Sequence, residues 1–188
     1  MDERFRDNTG LGSPDGTIQV RVSDISQLFD TLDPFPFPQR DLDKDAEEFI
    51  VGWARELPRD KPLNIVIYLP AAELQKQSPG QIREAMNCYF DYRAKLIGRE
   101  LNELFRVGRR SLLIGIGVLA IALGITQLIA GVFSSMPLGR FVEESLIIVA
   151  WVANWRPIEI FLYDWWPIVR KRNLYRRLAE APVELRAY

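Results

Sequence analysis

Histidine is absent from this chain, and cysteine occurs once, at Cys88. Without histidine there is no Ser–His or Cys–His nucleophile pair and no histidine-ligated metal site. With one thiol there is no disulfide scaffold within the chain. Charge of one sign is not in excess: 24 Lys and Arg face 25 Asp and Glu, a net of −1 over 188 residues. The opening MDERFRDNTGLGSPDG has no apolar core segment and is not read as a signal peptide. The front of the chain is therefore expected to stay on the side where it is made. Neither glycine-rich phosphate-loop pattern occurs, and the Gly-Ile-Gly at 115–117 lies in an apolar run that reads as membrane packing. Such a length accommodates one compact domain, or a small domain with a membrane anchor.

The even balance conceals an asymmetry. Residues 1–60 carry a net of −7, residues 61–110 a net of +4 and residues 171–188 a net of +3. Between Arg110 and Arg140 there is no charge at all. An acidic front, a basic neck, an apolar block and a basic tail point to a membrane protein. The core of the uncharged run is SLLIGIGVLAIALGITQLIAG, residues 111–131. As a helix it spans about 30 Å, the thickness of a bilayer core.

A second span is read at about residues 142–166. Its uncharged part, SLIIVAWVANW, is short, so the crossing must continue through Pro157 with some tilt. Otherwise the chain turns in-plane after that proline. In the crossing, Phe161, Tyr163, Trp165 and Trp166 would form an aromatic belt at the headgroups. Arg99, Arg106, Arg109 and Arg110 precede the first span, and Arg170, Lys171 and Arg172 follow the second. The connecting loop holds Arg140 beside Glu143 and Glu144. The positive-inside rule puts both termini in the cytoplasm. The expected location is an integral membrane protein of a bacterial inner membrane.

Outside the hairpin, residues 1–16 read as a disordered tail and residues 17–78 as a small α/β module. TIQVRVSD (17–24) alternates as a half-buried strand, and LNIVIYLP (63–70) reads as a buried one. ISQLFDTL between them reads as a short helix. Prolines 34, 36 and 38 make a loop. Asp43 caps a helix to about Leu57 whose apolar face is Phe49, Ile50, Trp53 and Leu57. The two strands are expected to be parallel with a right-handed crossover. Two strands make a poor sheet, so a covering helix or a second copy is expected to complete it. Ser78-Pro79 starts a long amphipathic stalk helix over 79–110. The hairpin occupies 111–169, and 170–188 is read as a basic cytoplasmic tail. The fold class is thus an α+β membrane protein: a small cytoplasmic β-α-β module, a long helical stalk and a two-helix transmembrane hairpin.

Two constellations stand out within the hairpin. Gly117, Ala120, Gly124 and Gly131 fall on an alternating spacing and give a small-residue packing seam. Gln127, Asn154, Arg156 and Glu159 are expected to form an intramembrane polar cluster, with Arg156 about 18 Å and Glu159 about 13 Å deep. Asp41, Asp43, Asp45, Glu47 and Glu48 begin like an EF-hand. However, Ala46 replaces the required glycine and Gly52 the bidentate glutamate, so helix capping is the reading. Cys88 is read as a small buried residue. No catalytic residue, cofactor or metal ligand set is assigned.

The leading expectation is a non-enzymatic, membrane-anchored scaffold or adaptor. Its partners are the lipid bilayer, a second copy of itself as a homo-oligomer, and an unidentified cytoplasmic protein, with no nucleic acid. The alternative is a small oligomeric ion channel or transport component with Arg156 and Glu159 in the pathway. A carboxylate-only enzyme holding a divalent ion at Asp41, Asp43, Asp45 or Glu47 is the third.

Overall fold

The computed structural model describes residues 16–31, 34, 40–58, 61–76, 78–133 and 137–188, with the backbone alone at 129–133, 137 and 138. The expected tail, apart from Gly16, and most of the proline loop lie outside the described residues. The fold is mostly helical, with a small three-stranded parallel sheet. Elements run β1 (Thr17–Arg21), α1 (Lys44–Glu56), β2 (Asn64–Leu69), α2 (Ala71–Leu74), α3 (Pro79–Phe133), α4 (Pro137–Glu159), a π-helical turn (Ile160–Asp164), α5 (Trp165–Ala179) and β3 (Val183–Ala187). The chain divides into two compact units. One comprises residues 1–97 and 170–188, the other residues 98–169.

In the first unit the strand order is β1-β2-β3, all parallel. Ile65, Ile67 and Leu69 of β2 are fully buried, and Ile18 and Val183 lie beside Ile65 in register. Alternation turns Gln19, Arg21, Glu184 and Arg186, all exposed, to the other face, where the central Val66 is buried. Against the apolar face the unit buries Ile50, Val51 and Ala54 of α1, Ile82, Met86 and Phe90 of α3, and Tyr175 and Leu178 of α5. Each such aliphatic or aromatic side chain contributes about 1.5–3 kcal/mol when fully buried. Arg83 Nε donates to the Val183 carbonyl at 3.2 Å, and Arg177 donates to the carbonyls of Pro58 and Lys61.

Three expectations are corrected here. The C-terminal segment is not a tail: α5 enters the core of the first unit and β3 supplies the third strand. Val183 and Leu185 alternate with Glu184 and Arg186, a strand pattern too short to stand out. The start of the expected stalk is part of the first unit, where Ile82, Met86 and Phe90 of α3 lie in the core, in keeping with the expectation that the long helix covers the strands. ISQLFDTL forms only a 3₁₀ turn, Ile25–Gln27, capped by Asp24, which accepts from Ser26 N–H at 2.7 Å. Leu28 and Phe29 are adjacent and both buried, and Phe29 bridges to Leu42. Finally, the buried face of α1 is Glu47, Ile50, Val51 and Ala54 rather than the Phe49–Trp53 side. Phe49 is 41% exposed and packs edge-on against Trp53.

In the second unit α3 and α4 pack along a seven-residue spacing. A side chain at Gly108 would meet Ile160 and Phe161, and one at Gly115 would meet Ala153 and Asn154. Ala122, seven residues on, is buried, as are Ala150, Pro157 and Ile160 opposite. Phe105 stacks on Phe161 at 6.1 Å. Helix α4 continues through Pro157, although proline lacks the N–H that would bond the Ala153 carbonyl. The wide π turn follows three residues later. There the Trp165 indole N–H donates to the Phe161 carbonyl at 2.9 Å.

Both hairpin helices are long and apolar enough to cross a membrane. Their most apolar windows are only 11% and 17% buried. The buried core helix of a soluble protein has the opposite property. Leu113 is 70% and Leu128 73% exposed.

The helix contact itself is testable. Gly115→Ala forces a methyl group onto the Asn154 amide, so it is expected to destabilise the full chain in detergent by about 1–3 kcal/mol. Gly80→Ala, also in α3, has open space around it and is expected not to destabilise, since alanine has the higher helix propensity. Equal midpoints for the two variants would refute the seven-residue seam.

Candidate functional site

Helix α1 begins at Lys44 because Asp43 satisfies its first amides. The Asp43 carboxylate accepts from the N–H groups of Asp45 at 2.9 Å and Ala46 at 3.4 Å. This places the start of α1 beside β1. Between them lies a groove of about 410 Å³. Val20, Val22 and Phe29, all largely buried, line it together with the exposed Phe49 and with Asp43 and Asp45. Its lining joins apolar side chains with the two carboxylates Asp43 and Asp45.

What fixes α1 is a buried carboxylate. Glu47 is only 7% exposed. Its Oε1 accepts from the Tyr175 hydroxyl at 2.6 Å and its Oε2 from the Tyr89 hydroxyl at 2.8 Å. Arg93 forks onto the same carboxylate, Nε to Oε1 at 3.1 Å and one terminal nitrogen to Oε2 at 3.3 Å. The guanidinium also lies 5.9 Å from the Tyr175 ring. Three helices, α1, α3 and α5, thus meet at one side chain. Burial pushes the Glu47 pKa up, but the two hydroxyls and the Arg93 charge outweigh it and hold the carboxyl below its ordinary value. Burial and the neighbouring carboxylate push Tyr175 up to about 12 and Tyr89 further up. At neutral pH the group is therefore one carboxylate, one guanidinium and two neutral phenols.

The hairpin's polar residues are arranged differently from the expected cluster. Asn154 donates to the Gly115 carbonyl at 3.1 Å and to the Ala150 carbonyl at 2.8 Å. Since Asn154 is level with Gly115, Gln127 lies twelve residues, about 18 Å, further along α3. Gln127 is exposed and does not join the group. Arg156 bonds Glu159 at 2.8 Å and Asp164 at 3.0 Å. In a regular helix residues eight apart point about 80° away from each other, and the wide turn between them restores the alignment.

The same pairing of helices revises the depth of these charges. With Gly108 against Ile160 and Gly115 against Asn154, Glu159 is level with Arg109 and Arg110. Arg156 and Glu159 therefore lie level with the stretch of α3 where its uncharged run ends.

The small-residue face of α3 also turns away from α4. Gly117 and Gly124 have nothing within 4 Å, and Ala120 is exposed. Gly131 falls where only the backbone is described. Cys88, expected to be buried, is exposed. Among the described residues no group of three or more acidic or thiol side chains converges as a metal site. The acidic run is split: Asp43 caps, Glu47 is buried, and Asp45 faces the groove.

The first unit's hub was only partly visible in the sequence. Glu47 interrupts the buried face of α1, and Tyr89 and Arg93 lie one turn apart on α3, which are local signals. Tyr175 is 128 residues from Glu47 and carries none. Compared with protein-family models, with curated proteins and with solved structures, the chain matches none.

The hub predicts a pH window. Glu47, lowered when folded, adds stability that is present above its ordinary value of 4.5 and lost as pH falls through the folded value. Tyr175, raised, adds stability that is present below its ordinary value of 10.0 and lost as pH rises through about 12. Thermal midpoints of the full chain should therefore be flat between these limits and fall on both sides. Glu47→Gln should lose the acid limb. Tyr175→Phe should cost about 1.5–3 kcal/mol at neutral pH, the worth of a hydrogen bond to a buried charge. An unchanged acid limb in Glu47→Gln would show that this carboxylate does not control it.

Proposed function

We propose that the protein is a membrane-anchored, self-associating scaffold or adaptor that presents its α/β unit to a cytoplasmic protein partner. One observation carries this reading. Strands β2 and β3 lie on either side of the hairpin in sequence, yet they pair in one sheet. Two apolar helices that leave a folded unit and return to it make an anchor. Both halves of that unit then share one side of any membrane the hairpin crosses.

The basic residues Arg106, Arg109, Arg110, Arg170, Lys171 and Arg172 sit at that end of the spans, and Arg140, Glu143 and Glu144 at the other. This charge bias favours the cytoplasmic side of a bacterial inner membrane. Self-association is supported by the open face of Gly117, Ala120 and Gly124, where small residues let a second helix approach closely. The reading assigns no catalytic residue and no cofactor. The channel alternative has less support, because Arg156 and Glu159 neutralise each other at the level of Arg109 and Arg110.

Cys88 is a native reporter for this arrangement, being the sole thiol and exposed in the first unit. A membrane-impermeant maleimide should leave it unlabelled in intact cells and label it after lysis, while the protein resists alkaline carbonate extraction. Labelling in intact cells reverses the orientation. Release by carbonate removes the anchor and the reading with it.

A further inference from the structure

Strand β1 is an edge strand among the described residues. Its Val22 N–H donates to the Tyr68 carbonyl, and the Gly16 carbonyl accepts from Asn64 N–H. In a parallel ladder this phase assigns the even-numbered residues of β1 to β2. The N–H and C=O groups of Thr17, Gln19 and Arg21 then point along the open edge. Beside that edge lies the groove that Val20, Val22, Phe49, Asp43 and Asp45 line. Its α1 wall is held by the Glu47 hub, so the site is preorganised rather than formed on contact.

We propose that β1 and this groove take a short extended segment of a protein partner, basic and aliphatic on the side facing the groove, by strand addition. The inference rests on the adaptor reading and names the partner's chemistry at that unit. Backbone hydrogen bonds to Thr17, Gln19 and Arg21 supply register-specific affinity. Every second side chain of the incoming strand turns toward Val20 and Val22. Aliphatic groups fit there. A lysine or arginine lays its stem on Phe49 and reaches Asp43 and Asp45 with its charge. An acidic segment meets these two carboxylates and is rejected. Opposite-facing side chains lie by Gln19 and Arg21 on the exposed sheet face.

The test uses the full chain in nanodiscs and a fluorescent heptapeptide, Ser-Val-Ser-Lys-Ser-Val-Ser, read by anisotropy. Its lysine-to-glutamate counterpart should bind at least tenfold more weakly. A version N-methylated at alternate backbone nitrogens should lose as much, with no change to the protein. Gln19→Pro removes an outward N–H at a place where edge strands accept proline, so it should also lose tenfold with an unchanged thermal midpoint. Equal binding of the N-methylated probe overturns strand addition. Equal binding of the glutamate probe overturns the basic preference. No binding of the lysine probe at millimolar concentration overturns the site, while Cys88 labelling still decides the anchor on its own. Loss of self-association in Gln19→Pro in place of peptide binding assigns the edge to a second copy and overturns the proposal too.

Discussion

The structure depends on the need of β2 for a partner on each edge. Ile65, Ile67 and Leu69 are fully buried and Val66 nearly so. A buried parallel strand has no water to satisfy its amides, so both sides of its ladder must be filled. The chain fills one side with β1, before it, and the other with β3, from its last residues. Everything between β2 and β3 is thereby forced to leave and return. The 55 residues of α3 carry the chain out, and α4 with α5 bring it back.

Glu47 plays the corresponding part among the helices. A buried carboxylate is costly alone, because water solvates the charge far better than hydrocarbon does. Here four donor contacts from Tyr89, Tyr175 and Arg93 replace that water. Replacing any one of the donors leaves the charge short, so the group specifies how α1, α3 and α5 meet. That also explains why α1 is rotated from its most hydrophobic presentation. Turning Phe49 and Trp53 inward would put Glu47 in water and leave two phenols and a guanidinium without their acceptor.

Local physics in the sequence foretold the parallel pair β1 and β2, the Asp43 cap, the Pro79 helix start and the two long apolar helices. Each rests on near neighbours: alternation, a capping side chain, an uninterrupted apolar run. Long-range choices were hidden. Val183–Ala187 is five residues of alternating pattern that only the presence of β2 turns into a strand. Gly117, Ala120 and Gly124 look like a seam by composition, yet α4 packs on Gly108 and Gly115, where Ile160, Phe161 and Asn154 fill the space. Glycine spacing marks faces that can be approached closely and does not say which face a given partner takes. The depth of Arg156 and Glu159 was likewise a matter of helix pairing, since only the register against Gly108 and Gly115 sets it.

These two long-range closures impose an order on folding. β3 and Tyr175 are both made after the hairpin, so the first unit lacks its third strand and one donor of its hub until both spans exist. Before then β2 has an unpaired edge and Glu47 an unsatisfied charge, and each makes the partly made unit less stable. Chains emerge from the N-terminus onward, so this gap is present in every copy during synthesis. Packing of α4 onto α3 brings the C-terminal segment back toward β2 and shortens the loop that must close. Packing of α4 on α3 and completion of the α/β unit are therefore coupled. The wall of the groove beside β1 is α1, and α1 is held by Glu47. That wall is therefore complete only once α5 has supplied Tyr175 to the Glu47 carboxylate.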